Sequence, residues 1–406
     1  MTGVLDGVRV LDLSGITAGG RTTQIMADYG ADVIKLEGPE RPDPFRHWTV
    51  VTGSSGHGDL GSPPFRVVNR NKRAMALDLK HPESAEVIRR LVEWADIVVE
   101  NFRRGVMDRL GLGFDTLVSW NSDVVLLSLS SQGSDGPESG FVSFGSTLEA
   151  LGGQMALTGY DATTPTWSTN KVNYPDQTVS VLAPGLAVWA LMRARETGEP
   201  CRLDLSQREL VTSMLGEWVV DAAASGIAAE PSGNRGEGGS DFCLPCAGED
   251  DWIALSVHDD SQWHALAAAI GSEELATDAR FVSAAARADH HEELEAVLAS
   301  WTAARTCEEA REALVGLVPV APVLRASQVI DEFGSAGVDF YADVPNPAGG
   351  TERQISWPFD LAGAEPAIRY RAPHVGEHSR AIMAELGFDE LETEALFATG
   401  TLAEHT

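Results

Sequence analysis

The sequence predicts an α/β protein built on a parallel sheet with helices on both faces. Two observations carry this reading. Short, nearly continuous apolar runs alternate with amphipathic helical stretches through the first 200 residues, the pattern of strands buried on both faces and joined by crossover helices. The chain is also long, 406 residues with 43% apolar and 22% charged residues, enough for a large core and more than one domain. VRVLDLS (8–14) is the first strand, and GITAGGRTTQIMADYG follows as a loop and helix. ADVIKLE (31–37) and RAMALDL (73–79) are the second and third strands. HPESAEVIRRLVEWA (81–95) has apolar residues at helical spacing and precedes a fourth strand, DIVVENF (96–102). FDTLVSWN (114–121) reads as a helix and DVVLLSLSS (123–131) as the fifth strand. From about 133 to 175 the chain is rich in Gly, Ser and Thr, which predicts loops over a site. A long apolar helix then runs to about Glu196, and CRLDLSQ (201–207) is a short strand leading into another helix.

The segment AASGIAAEPSGNRGEGGSD (223–241) has the composition of a linker or loop. WIALSV (252–257) opens a second unit, with helices in SQWHALAAAIG and HEELEAVLASWTAA. VPVAPVLRASQVI (318–330) returns to strand and helix, and the last stretch includes a polar helix, SRAIMAELG. No segment repeats with a period of 20 to 50 residues.

The net charge of −30 argues against a nucleic-acid partner. The chain shows no basic and apolar leader pattern, its apolar runs are broken by Pro and Gly, and its four Cys make no disulfide framework. A cytoplasmic protein with no membrane partner is expected. The first strand is not followed by G-x-G-x-x-G, and Walker A, H-E-x-x-H and G-x-S-x-G motifs are missing. Cys243 and Cys246 have C-x-x-C spacing but no second ligand pair, so no metal is expected. His290 and His291, in ADHHEELE, read as solvated. Half of the 30 Lys and Arg lie before residue 110, clustered at Arg66, Arg70, Lys72 and Arg73, at Lys80, and at Arg103, Arg104 and Arg109. Such a cluster either shapes a site for a polyanion or decorates the ends of strands.

In KVNYPDQTVS (171–180), Asp176 stands at the mouth of the long apolar helix. Three readings are open. It caps the helix by accepting from free backbone N–H groups, it is a turn residue after Pro175, or it is a carboxylate kept ionised for covalent chemistry. On these ten residues the cap is the commonest reading.

Several blocks together resemble the class III CoA-transferase family, the group that includes formyl-CoA transferase, carnitine CoA-transferase, benzylsuccinate CoA-transferase and the acyl-CoA racemases. They are GVRVLDLSGITAGGRTTQIMADYGADVIKLE, NRNKRAMALDLKHPES, ADIVVENFRRGVMDRLGLGFDTL, RARETGEPCRLDLSQREL, VPVAPVLRASQV and RAPHVGEHSRAIMAELGF, in that order. The resemblance implies a large Rossmann-like α/β domain over residues 1–200 completed by 331–406, a linker at 201–224, a smaller α/β domain at 225–330, and an interlocked homodimer. It implies transfer of coenzyme A between two carboxylic acids through an aspartyl-CoA thioester, with acyl-CoA and an acid as substrates and no tightly bound cofactor. The nucleophile falls on Asp176, which stands 28 residues before Asp204 of RLDLS, and the YPDQ wording resembles the benzylsuccinate branch. Succinyl-CoA is the expected donor by family habit.

Carried over by position, the CoA contacts are Thr17, Ala18, Leu77, Lys80, Asn101, Phe102, Arg103 and Arg109. Two departures stand out. An Arg that packs on adenine in some members is Gly38 here, with Arg41 or Arg46 as replacements, and the Gly usual four residues after the nucleophile is Ser180. The racemases' acid–base pair maps to Phe144 and Gly145, which disfavours proton transfer. Since Gly145 is often acidic in formyl-type members, that substrate is disfavoured too, and Glu149 becomes the nearby carboxylate to follow. The alternatives are a racemase of the same fold and a catalytically silent CoA-binding protein. The Gly-rich stretch 233–241 is a lid or a plain linker.

Overall fold

The structure, a computed structural model, describes residues 3–48, 61–161, 163–168, 173–236, 240–335, 341–346, 350–358, 361–364 and 366–405. The chain divides into two compact units, one of residues 1–155, 167–227 and 340–406, the other of residues 156–166 and 228–339.

In the first unit, β1 (Arg9–Asp12), β2 (Asp32–Glu37), β3 (Arg73–Leu77), β4 (Ile97–Glu100), β5 (Val125–Ser130) and β6 (Cys201–Ser206) pair in parallel in the spatial order 3-2-1-4-5-6. Alternate residues of each strand enter opposite layers. Leu11, Ile34, Met75, Val98 and Leu126 pack against α3 (Ser84–Trp94) and α5 (Phe114–Trp120), with the short α4 (Val106–Arg109) between those helices in sequence. Val10, Val33, Ile97, Val99 and Leu127 pack against α1 (Ala18–Asp28) and α8 (Tyr174–Thr197). Ala183, Ala187, Ala190 and Ala194 of α8 are fully buried at helical spacing, a stripe of small side chains that lets α8 lie close to the sheet layer.

Three parts differ from expectation. The loops expected over 133–175 contain α6 (Gly145–Gly152) and the single turn α7 (Gln154–Leu157), while α2 (Pro63–Asn69) was not read at all. Residues 201–224, a linker by the resemblance, carry β6 and α9 (Gln207–Ser213), the strand and helix that CRLDLSQ predicts, and most of α10 (Gly216–Ser225). Residues 237–239 of the Gly-rich stretch lie outside the described residues.

The second unit holds an antiparallel sheet of β7 (Asp241–Pro245), β8 (Trp252–Ser256) and β9 (Val320–Pro322). Helices α11 (Asp260–Ala269), α12 (Ala284–Asp289), α13 (His291–Thr302), α14 (Cys307–Leu314) and α15 (Ala326–Ser335) accompany it. Cys243 lies within β7 and Cys246 just past it, in the apolar core. His291 is buried rather than solvated, its ring stacked on Phe242 with centroids 4.8 Å apart.

The chain then returns to the first unit through the hairpin β10 (Tyr341–Pro345) and β11 (Thr351–Ile355), α16 (Ser379–Glu385) and α17 (Glu390–Ala398). It ends in β12 (Leu402–Ala403), which pairs antiparallel with β3 at the sheet edge. No helix among the described residues is long and apolar enough to cross a membrane.

Ion pairs are built into this unit's interior. Lys72 Nζ lies 2.9 Å from Asp12 Oδ2, and it also donates to the Gly20 carbonyl and Asn69 Oδ1 at 2.8 Å each. Burial alone would raise the Asp12 carboxyl; Lys72, Lys35, Ser14 and Thr23 together outweigh it and hold the group below its ordinary value. Arg70 pairs with the buried Asp28 at 2.7 Å and reaches the Ile355 carbonyl at 2.8 Å, tying the returning hairpin to α1. Removing one member of such a pair leaves a desolvated charge. Lys72→Met should therefore lower the unfolding free energy in urea by about 3–5 kcal/mol, and the double change Asp12→Asn with Lys72→Met should recover most of that loss.

Candidate active site

In an open parallel sheet of order 3-2-1-4-5-6, neighbouring strands send their connections to opposite faces where the order reverses. A crevice opens there, outside the carboxyl ends of β1 and β4. The loop 13–17 leaves β1 at this point and Asn101 leaves β4. They are joined reciprocally: the Gly15 N–H donates to Asn101 Oδ1 at 2.9 Å, and Asn101 Nδ2 donates to the Gly15 carbonyl at 2.8 Å. Ile16 takes a φ of +62°, a strained conformation for a β-branched residue. It is held there by Asp43, whose Oδ1 accepts from the Ile16 N–H at 3.1 Å. Asp43 is itself fixed 2.9 Å from Lys35 Nζ, which also donates to the Ser14 carbonyl at 2.9 Å. A Cβ on Gly19 would lie 2.1 Å from that of Ser14, so only glycine lets α1 start this close to the loop.

A groove of about 170 Å³ lies along this loop, lined by Ser14, Gly15, Gly38, Arg41, Leu77 and Phe102 among others. Leu77 and Phe102, two of the residues singled out by resemblance, thus meet in one wall. Thr17 is the buried residue before α1, and Ala18 opens that helix. Asn101 acts on the loop backbone and does not itself line the groove. Lys80, Arg103 and Arg109 are exposed; Arg103 lines a neighbouring polar cavity of about 260 Å³ that also includes Phe102, Glu100 and Arg104. Of the two replacements for the cation missing at Gly38, Arg41 lines the groove, whereas Arg46 is buried against Glu37.

The basic cluster is mostly not a ligand surface. Arg66 pairs with Glu352, Arg70 with Asp28, Lys72 with Asp12, and Arg73 with Asp32 and Glu385. Among the described residues, no ion pair engages Arg41, Lys80, Arg103, Arg104 or Arg109, so these cations retain their charge for another partner.

Asp176 is not the cap of α8. Asn173 precedes the helix, Pro175 lies in its first turn, and Asp176 is its third residue. Its Oδ1 accepts from Gln207 Nε2 at 2.9 Å, and the Asn173 side chain hydrogen-bonds the same carboxylate. Burial raises the Asp176 carboxyl above its ordinary value, partly opposed by these two amides. Ser180, the residue in place of the usual Gly, donates its hydroxyl to the Asp176 carbonyl and to the Ala18 carbonyl, the latter at 3.0 Å. One side chain therefore connects the turn carrying Asp176 to the residue that follows loop 13–17.

Gly145 lies against Asn173, and a Cβ there would come 2.6 Å from Asn173 Oδ1. The position that is acidic in some relatives of the resembled family is thus empty here because an amide from residue 173 occupies the space. Phe144 is 71% exposed. Glu149 is only 1% exposed, and it accepts from the Ser168 N–H at 2.8 Å and the Ser168 hydroxyl at 2.7 Å, so it fastens the segment before α8. Gln207 and Asn173 were missed in the sequence. The strand-to-helix junction at Ser206–Gln207 was readable, but its meeting with a carboxylate 31 residues away was not.

The family model of CoA-transferase family III matches residues 5–379. The chain belongs to that family. It is a CoA-transferase. It is 31% identical over 397 residues to the succinyl-CoA:mesaconate CoA-transferase of Haloarcula marismortui, covering 95% of this chain and 97% of that one. It is 29% identical over 384 residues to the succinyl-CoA–D-citramalate CoA-transferase of Chloroflexus aurantiacus, covering 94% of each. Among solved structures, a CaiB/BaiF family protein from Brucella suis superposes with a TM-score of 0.86 at 28% identity, over 95% of this chain and all of that one.

The Gly15–Asn101 pair gives a direct test of how the loop is held. Asn101→Leu removes both hydrogen bonds and leaves the Gly15 amide and carbonyl without them. Unfolding free energy should fall by roughly 1–3 kcal/mol, and hydrogen exchange should accelerate over residues 13–18 while the rest of the sheet keeps its protection.

Proposed function

We propose that the protein moves coenzyme A from an acyl-CoA to a second carboxylic acid, with Asp176 as the covalent nucleophile and the crevice between β1 and β4 as the CoA groove. The observation that carries this reading is the Asp176 carboxylate itself: half-buried, held by two side-chain amides, and joined through Ser180 to the end of loop 13–17. An ionised carboxylate that accepts from neutral amides, with no cation paired to it among the described residues, keeps its charge available for attack.

The carboxylate attacks the acyl-CoA carbonyl, a C–O bond forms, and the C–S bond breaks to release CoA thiolate, leaving a mixed anhydride. The thiolate attacks the aspartyl carbonyl and expels the first acid, giving the aspartyl-CoA thioester. The acceptor carboxylate attacks that thioester, and the released thiolate then takes the new acyl group from Asp176. Thioester is exchanged for thioester, so no external energy source is needed.

Leu77 and Phe102 would form apolar walls for CoA, and Thr17 and Ala18 would offer backbone. Asn101 would act by fixing Gly15, and Lys80, Arg103 and Arg109 would meet phosphate charge. The names of the relatives favour a succinyl-type donor for this chain as well. A homodimer fits the apolar side chains left exposed on α8 (Val181, Leu182, Trp189, Met192) and α10 (Trp218, Val219, Val220).

Incubation with succinyl-CoA and hydroxylamine should place a hydroxamate on the peptide containing Asp176, read by mass spectrometry. Asp176→Asn should reduce turnover by several orders of magnitude. Because the folded carboxyl titrates above the unfolded one, ionising it opposes folding. The Asn variant should therefore be at least as stable as the parent at pH 7, with that advantage fading as pH falls to the unfolded value. The acid limb of the kcat/KM profile should lie above the ordinary aspartate range. Normal turnover in a folded Asn variant would defeat the assignment.

A further inference from the structure

We infer that Gln207 is the oxyanion donor for the aspartyl half of the reaction, through the hydrogen bond from its Nε2 to Asp176 Oδ1. This inference rests on the nucleophilic reading of Asp176 and deepens it. Gln207 is the first residue of α9, and it stands there because Ser206, at the end of β6, caps that helix by accepting from the Glu209 N–H. The side chain is buried, with 6% of its surface exposed, and its Nε2 lies 2.9 Å from Oδ1. A buried amide aimed at one carboxylate oxygen makes the two oxygens unequal. Oδ1 is the oxygen that Gln207 holds, so attack through Oδ2 keeps this bond in place.

Following the atoms shows what this inequality does. When Oδ2 attacks the acyl carbon, Oδ2 becomes the bridging oxygen of the anhydride and Oδ1 remains the aspartyl carbonyl oxygen. Thiolate attack on Cγ pushes the carbonyl electron pair onto Oδ1. The tetrahedral intermediate then collapses, and the first acid departs with the bridging oxygen. In the aspartyl-CoA thioester, Oδ1 is again the carbonyl oxygen. Attack by the acceptor carboxylate places the negative charge on Oδ1 a second time before thiolate leaves. Two of the four tetrahedral intermediates in a turnover therefore develop their charge on the atom that Gln207 already touches. A preorganised neutral donor acts at that moment without reorganising. It also strengthens as the oxygen passes from shared carboxylate charge to full oxyanion charge. The Asn173 amide bonds the same carboxylate and is the second candidate donor. Gln207 is the donor that meets Oδ1 itself.

Gln207→Met keeps the length and the apolar packing of the side chain but removes the donor. Loss of one oxyanion donor typically lowers kcat by about 10²–10³-fold. The variant should show a fall of about that size, with KM for succinyl-CoA within about threefold and an unchanged thermal midpoint. Gln207→Leu, of similar volume and without donors, guards against a folding failure of the Met variant and should lose a comparable share of activity. A residue with only a packing role would instead lower the midpoint in Met or Leu and leave kcat intact in the folded enzyme. Single-turnover hydroxylamine trapping separates the two levels of the argument. If the parent enzyme forms the Asp176 adduct and either folded variant retains more than a third of kcat, the role of Gln207 is wrong while the nucleophile stands. If the parent forms no adduct under turnover conditions, both fall together. Adduct formation in the parent with the stated loss of kcat in a folded variant supports both.

Discussion

The buried pairing of Asp43 with Lys35 underlies the geometry of the site. Lys35 lies inside β2 with no exposed surface, and its ammonium reaches both Asp43 and the Ser14 carbonyl. Asp43 in turn accepts from Ile16 and Phe45 backbone N–H groups. A left-handed Ile costs of order 1–3 kcal/mol, so the turn after β1 persists only because this ion pair on one side and Asn101 on the other leave it no alternative. The conformation of that turn sets where α1 begins, and Ser180 then reaches the first carbonyl of α1 from the turn that carries Asp176. Strain in the loop and placement of the carboxylate are consequences of the same internal charges.

The use of cations follows from this arrangement. An acidic chain with a net charge of −30 confronts an anionic substrate with an unfavourable field. Most basic residues near the sheet do not offset it, since they neutralise Asp12, Asp28, Asp32 and Glu37 within the fold or at its edge. Arg41, which lines the groove, and the exposed Lys80, Arg103 and Arg109 are in no ion pair among the described residues.

Much of the fold was readable because its strands are buried on both faces. Short apolar runs such as VIKL and VLLSL, alternating with helical stretches, are the pattern of strands covered on both faces. The strand order was not readable, since periodicity says nothing of lateral neighbours. Short elements also escaped: β12 is two residues long, and α2 begins at Pro63 in a stretch that reads as a turn. Arg70 and Lys72 looked like a ligand surface because a sequence displays charge without its partners, and their partners, Asp28 and Asp12, are some 40 to 60 residues away. Asp176 was suspected from its setting at a helix start, but its relation to the helix was misjudged by three residues. The amides that hold it come from a junction and a loop whose side-chain directions only tertiary contact decides. Gly145 illustrates the limit from the other side: a missing acid in the sequence is, in three dimensions, room made for Asn173.

The last strand bears on how the chain is made. β12 supplies the outer partner of β3 and follows every other strand of that sheet in chain order, so synthesis supplies it after the rest. Until then, the edge of β3 is an open hydrogen-bonding row beside the future groove wall at Leu77, vulnerable to pairing with another nascent chain. The intervening segment 228–339 has its own apolar core and emerges in full before that edge can close. Synthesis thus imposes an order in which a self-contained unit is complete while the sheet it interrupts still waits for its edge strand.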